Sequence, residues 1–181
     1  MSNLYYIAIL PNDEISQEIT DFKLYAKANF DTKRALTSPP HITVVAPFRP
    51  KKTVDIEAIF QTVKDFSKTR QSFNIALRNF NRFDDKVIFV DVELSDILEN
   101  LWRQLHLQLA EAYNIKRKRQ SYHPHITVAF KDLEKEVFPK AWEYFSTVEF
   151  QREFEANHLA ILQHNGKSWN VIERFEFGIE R

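Results

Sequence analysis

The tetrapeptide HITV occurs twice, at His41–Val44 and at His125–Val128, and the same step of 84 positions relates most of the rest of the chain to itself. The bulky segment Leu4–Leu10 maps onto Ile88–Leu94, and that segment maps onto Ile172–Gly178. A helix capped by Asn12, with Ile15, Ile19, Phe22 and Ala26 on one face, maps onto a helix capped by Ser95. Phe73–Phe80 maps onto Asn157–His164. Few identities survive outside HITV, so the repeat is one of pattern. Such a chain is expected to be α+β. Two similar β-α-β-α-β units pack as two lobes with pseudo-two-fold symmetry, their antiparallel or mixed sheets around a central cleft, in a single domain over residues 1–181.

The remaining periodicities fill in the elements. A helix after Thr53 buries Ile56, Phe60, Val63 and Phe66, and the Ser95-capped helix repeats Ile97, Leu101, Leu105, Leu109 and Ala112 at helical spacing. Two extended segments around Phe73–Phe80 and Val87–Leu94 are separated by a turn at Asp84 and Asp85. A helix over residues 132–145 is interrupted by Pro139. Sixteen Phe and 44% hydrophobic residues supply a core.

Along each HITV strand, side chains alternate. Ile42, Val44 and Ala46 then face the core while His41 and Thr43 face the other way. Equally, Ile126, Val128 and Phe130 leave His125 and Thr127 together. Each strand presents an imidazole and a hydroxyl about 7 Å apart on its polar face. Two copies of one tetrapeptide at equivalent places have chance odds of roughly one in a million. A duplicated gene could have kept two similar core strands for packing alone, but His and Thr contribute little to packing and need bonding partners if buried.

Composition removes the competing chemistries. Cysteine is absent, so thiol nucleophiles, disulfides and cysteine-based metal sites are excluded. The only glycines are Gly166 and Gly178, so neither a P-loop nor a GxGxxG turn can be written. Lys plus Arg and Asp plus Glu both total 25, which speaks against a general nucleic-acid coat protein. What remains is a pair of imidazoles able to act as base and acid near neutral pH. Threonine hydroxyls beside them suit the negative charge that builds on phosphorus in a phosphodiester cleavage. Neither metal nor cofactor is required. The HPH pair at His123 and His125 could chelate a cation, but no third ligand stands at useful spacing.

His41-Ile42-Thr43-Val44 and His125-Ile126-Thr127-Val128 resemble the paired HxTx signatures of the 2H phosphoesterase superfamily, which includes the 2′-5′ RNA ligase-like proteins and bacterial cyclic phosphodiesterases. PPHITVVAPF, HPHITVAF and LQHNGKSWNVIERFEFG resemble a small bacterial branch of it. The resemblance spans the chain. It implies two lobes flanking a cleft, with His41 as proton donor to the leaving oxygen, His125 as the base activating water, and Thr43 and Thr127 holding the phosphate. It also implies opening of a 2′,3′-cyclic phosphate to a 2′-phosphate, or the reverse 2′-5′ ligation. RNA with a cyclic-phosphate end, or a small cyclic nucleotide, would be the substrate.

Four further residues are candidates for substrate binding. Phe83, after Arg82, lies where that family often places a residue near the cleft and could stack on a base. Arg49 and Lys131 follow the two motif strands and could add positive charge. The run Lys116–Arg119 could draw in a nucleic-acid end, or be a solvated loop. His106 is expected at a surface boundary, and His158 and His164 on one face of a late strand in structural roles. The absence of a leader or a long apolar stretch points to a cytoplasmic protein without a membrane span, expected as a monomer. The competing reading is a catalytically silent module that binds RNA ends or small phosphates in the same cleft.

Overall fold

The computed structural model describes residues 3–116 and 121–178, so Arg117–Arg119 of the basic run lie outside the described residues. The described residues form eight strands and four α-helices, in the order β1 (Leu4–Ile9), α1 (Asp13–Phe30), β2 (Ile42–Phe48), α2 (Ile56–Lys68), β3 (Phe73–Phe83), β4 (Val87–Val92), α3 (Asp96–Tyr113), β5 (His125–Ala129), α4 (Phe138–Phe145), β6 (Gln151–Ala156), β7 (His158–His164) and β8 (Trp169–Glu176). A short 3-10 helix, Arg34–Thr37, precedes β2. No helix among the described residues is long and apolar enough to cross a membrane.

Local chemistry sets the boundaries. The Asn12 side chain accepts from the Ile15 N–H at 2.9 Å, and the Ser95 hydroxyl from the Leu98 N–H at 3.2 Å, so each satisfies an orphan donor at a helix start. α2 is capped by Asp55, whose carboxylate takes the Glu57 N–H. In α4 the expected longer helix does not form. Pro139 stands in its first turn, where a missing N–H costs nothing, so the proline starts the helix instead of interrupting it. The buried stripe of α3 also differs from expectation. Ile97 is 59% exposed and Ala112 is exposed, while Leu98, Leu101, Trp102, Leu105, His106 and Leu109 face inward. The inward face alternates steps of three and four, and an uninterrupted step of four drifts off it.

The strands form two four-stranded sheets, in the orders β2-β1-β7-β8 and β5-β4-β3-β6, and every pairing is antiparallel. The two sequence units are therefore not the two lobes. β3 closes the first unit but pairs with β4 and β6, while β7, from the second unit, pairs with β1 and β8. Short hairpin turns join β3 to β4 and β7 to β8, and this local pairing outweighs the repeat boundary. In the second hairpin Gly166 takes φ +97°. The helices cross over too. α1 lays Phe22 against Phe80 of the second sheet and Phe150 just before β6, and α3 packs on β2 and α2. α4 joins α1 through Phe145, whose ring meets Phe22, Phe30 and Phe80.

A second departure concerns the motif strands. Ile7 stands opposite Val45 and Ala8 opposite Thr43, which leaves Val44 as an extra residue in β2. Ile88 stands opposite Ala129 and Phe89 opposite Thr127, which leaves Val128 extra in β5. The same bulge thus follows both threonines. It ends the simple alternation, so Val44 and Val45 are both buried, as are Val128 and Ala129, while Ala46 is exposed and Phe130 only half-buried. The neighbouring strands do not keep the step of the motifs. Thr43 faces Ala8 across its ladder where Thr127 faces Phe89.

Candidate active site

β2 and β5 are edge strands of their sheets and meet across the cleft between the lobes. Each carries its histidine at or just before the first strand residue, where the chain arrives through proline: Pro39-Pro40 before His41, Pro124 before His125. Proline holds itself and the residue before it in an extended entry, and in both places the carbonyl of that preceding residue meets the histidine ring. The result is one device made twice. His41 Nδ1–H donates to the Pro39 carbonyl at 2.7 Å, and His125 Nδ1–H to the His123 carbonyl at 2.7 Å. A carbonyl can only accept, so Nδ1 carries the proton and Nε2 is the nitrogen left for chemistry in both rings.

Their surroundings differ. His41 keeps some surface open to the cleft but is closely ringed by protein, with Tyr6 at 4.8 Å between ring centroids and the Ser38 hydroxyl 3.3 Å from Nδ1. Burial pushes its pKa down to about 4; the Pro39 carbonyl works the other way, while Lys23 and His125 add to the fall. His125 lies against Phe83 and Phe89, centroids 4.9 and 5.0 Å away. Burial lowers its pKa as well, opposed by the His123 carbonyl and by Asp91. Asp91 is paired with His123 Nε2 at 3.0 Å. Burial thus favours the neutral form of both imidazoles.

Two cavities open beside these rings. One of about 240 Å³ is lined by His41, Thr43, Thr127, Tyr6, Trp169 and three cations, Lys23, Arg34 and Lys131. The other, about 740 Å³, is lined by His125, Thr43, Phe83, Tyr122, Trp102 and His106 among others. Thr43 belongs to both, and so joins the imidazole of one lobe to that of the other. The Tyr122 hydroxyl donates to the Thr43 carbonyl at 3.1 Å, and its ring stacks on Trp102 at 4.8 Å, which braces this wall. The smaller chamber is positive, with Lys23, Arg34 and Lys131 and no acidic side chain in its lining. The larger is mostly apolar and aromatic, of a size that accepts a small organic ligand.

Of the eight residues singled out in sequence, six line these chambers: His41, Thr43, His125, Thr127, Phe83 and Lys131. Lys131 sits at φ +59°, in a three-residue turn where the Asp132 N–H donates to the Phe130 carbonyl at 2.7 Å. The structure does not bring Arg82 or Arg49 to the site. Arg82 alternates with Phe83 on β3, so it leaves on the opposite side, paired with Asp85 and lying over the rings of Trp142 and Phe138. Arg49 lines a separate pocket with Val54 and Tyr113. His106 is buried, against expectation, with its Nδ1 2.9 Å from the Trp102 carbonyl. His158 contacts the Asn157 side chain at 2.7 Å, and the His164 ring packs on Trp169 at 4.9 Å. Among the described residues no group of three or more His, Asp or Glu is gathered as a cation site.

The residues that sequence reasoning missed come from outside the motifs: Lys23, Arg34, Ser38, Tyr6 and Trp169. Only Lys23 left a signal. It stands four residues after Ile19 on the buried stripe of α1, a charge where the periodicity calls for an apolar side chain.

A family model for the 2′-5′ RNA ligase superfamily matches residues 11–168, which include both HITV strands and both chambers' histidines. The chain belongs to the 2′-5′ RNA ligase superfamily. Members of this superfamily are phosphoesterases or RNA ligase-like enzymes. Solved structures share the fold. TT0787 of Thermus thermophilus superposes with a TM-score of 0.71 at 14% identity, over 97% of this chain and 98% of that one. Escherichia coli LigT complexed with 3′-AMP superposes with a TM-score of 0.68 at 12% identity, over 99% of this chain and 100% of that one. LigT has also been crystallised with phosphate. No curated protein matches the chain in sequence.

Proposed function

We propose that this member of the superfamily is a metal-independent phosphoesterase that opens 2′,3′-cyclic phosphates, or cleaves 2′-5′ phosphodiesters, of RNA ends or nucleotides. The observation that carries the reading is the doubled Nδ1–carbonyl bond, 2.7 Å at each histidine. It leaves two Nε2 atoms in one cleft, where each is a base when neutral and an acid when protonated. Thr43 and Thr127 supply hydroxyls for the non-bridging oxygens, with Lys131 beside them. The aromatic chamber next to His125 suits a nucleobase, with Phe83 on its wall. A nucleotide monophosphate in complex with LigT, which has the same fold, supports that class of ligand.

In hydrolysis of the cyclic ester, water attacks phosphorus as His125 takes its proton, and His41 returns a proton to the departing ribose oxygen. His41 must be charged to do so, and burial, which pushes its pKa down to about 4, opposes that. The anionic substrate changes this, because a negative charge nearby favours the imidazolium. Substrate thus arms its own acid.

The test uses purified protein in EDTA with a 2′,3′-cyclic-phosphate oligonucleotide and a cyclic mononucleotide, followed by phosphorus NMR. Turnover to a 2′-phosphate should fall about 10²- to 10⁴-fold in His41→Ala and in His125→Ala. A reaction that needs added divalent metal, or that survives both substitutions, overturns the proposal. Binding of the cyclic nucleotide without turnover in the wild type favours the silent binding module.

A further inference from the structure

Lys23 is a lysine that the fold has taken out of water without giving it a counter-ion. It is 2% exposed, and its Nζ donates one hydrogen bond, 3.0 Å, to the Ser38 carbonyl. An ammonium has three donors, and burying it is costly unless it is paired and fully bonded. Among the described residues no carboxylate lies within ion-pair distance of it; Asp13 lines only the open groove on its other side. Burial accordingly pushes its pKa down to about 8. The same ammonium borders the small chamber that holds His41, Thr43 and Thr127, in which every charged lining residue is a cation.

A buried charge with unused donors, beside a cavity whose walls lack anionic groups, implies that the missing counter-ion is the ligand. We propose that Lys23 is a phosphate-binding residue of this site, its Nζ bound to a non-bridging phosphoryl oxygen while Ser38 holds it in place. The inference rests on the reading of the cleft as a phosphoesterase site and adds to it a ligand from α1, outside both motifs. Its position also couples binding to acid–base chemistry. Ser38 bonds the Tyr6 hydroxyl at 2.6 Å and stands 3.3 Å from His41 Nδ1, so the phosphate, Lys23 and His41 would share one network. An anion neutralising Lys23 removes one of the charges that oppose protonation of His41.

The competing role is purely positional, with Lys23 pinning the Ser38 carbonyl. Two substitutions separate them. Lys23→Met removes charge and hydrogen bond together, whereas Lys23→Gln keeps a donor for Ser38 without the charge. The probe is inorganic phosphate, titrated by calorimetry and by the rise in Tm. A phosphate ligand predicts that both variants bind phosphate about 10- to 100-fold more weakly. It also predicts that Lys23→Met, relieved of an unpaired buried charge, melts no lower than wild type without phosphate. Wild-type affinity in Lys23→Met, or full recovery in Lys23→Gln, overturns the proposal. The outcomes separate it from the catalytic reading. Phosphate binding that depends on Lys23 without any turnover sinks the activity and keeps the site; turnover with unchanged phosphate affinity in Lys23→Met sinks the site and keeps the activity.

Discussion

Replacing Asp132 with alanine severs a tie between the lobes that positions the first motif from the second. Asp132 follows β5 and Lys131, and its carboxylate accepts three bonds from the end of the connection after α1 and the first residue of the 3-10 helix. They come from the Thr32 hydroxyl at 2.7 Å, the Lys33 N–H at 2.9 Å and the Arg34 N–H at 3.0 Å. That connection delivers Ser38 and His41 to the cleft. A bond to a charged acceptor contributes about 1.5–3 kcal/mol when water cannot replace it. Water can replace it at the exposed Lys33 and Arg34, so each of those keeps about 0.5 kcal/mol. Thr32 is 2% exposed, and its hydroxyl loses its partner outright, at about 1–3 kcal/mol. The expected loss is therefore about 2–4 kcal/mol at pH 7. Partial burial disfavours the carboxylate, but these bonds outweigh it and hold the pKa below the usual carboxylate value. A depressed folded-state pKa contributes stability that is fully present above the unfolded value and is lost as pH falls through the folded one. Urea unfolding of wild type and Asp132→Ala at pH 7 and pH 3 should show the gap at the first pH and a smaller gap at the second. A loss under about 1 kcal/mol at pH 7, or a gap that is as wide at pH 3, would refute the reasoning.

Three other expectations follow from the cleft. The His41 ring, followed by proton NMR, should titrate near pH 4 in the free protein and move upward when inorganic phosphate is added, because the anion favours the charged form. For the same reason, kcat/KM, which reports the free enzyme, should peak on the acid side of the ordinary histidine range and decline as pH rises; an optimum above pH 8 contradicts the two-imidazole scheme. Thr43→Val and Thr127→Val should each lower turnover about 10²- to 10³-fold, while urea midpoints shift by less than about 1 kcal/mol equivalent, since valine suits a strand. Equal losses of stability and activity would make these residues core.

Legibility from sequence varied from residue to residue. His41, Thr43, His125 and Thr127 announced themselves because the same four letters recur at one step, and a histidine on an apolar strand has no packing reason to be there. Asn12 and Ser95 were readable as caps because capping is settled within three residues. Ile97 was misplaced on α3, since a helical stripe is fixed only when a partner surface chooses its width. Ala46 and Phe130 were misplaced because a bulge exists only between two strands, and neither strand alone records it. Arg82 looked like a neighbour of Phe83, which it is along the chain and not across the strand.

The sequence by itself determined the chemistry on offer: two imidazoles, two hydroxyls, no thiol, and a repeat that obliged the two motifs to occupy equivalent places. It also marked where α1, α2 and α3 would form, because those periodicities are local, while α4 starts later than its pattern suggests, beside Pro139. Only the tertiary structure decided how the repeat is assembled. β3 and β7 pair within their hairpins and change sheets, so neither sequence half is a lobe. Only the tertiary structure, too, brought Lys23 from α1 and Arg34 from the connection to the chamber beside His41 and Thr127, and sent Arg49 and Arg82 elsewhere. The physical reason is that a side chain's identity belongs to its residue, whereas its burial, its partners and the charge it carries are set by residues distant in the chain.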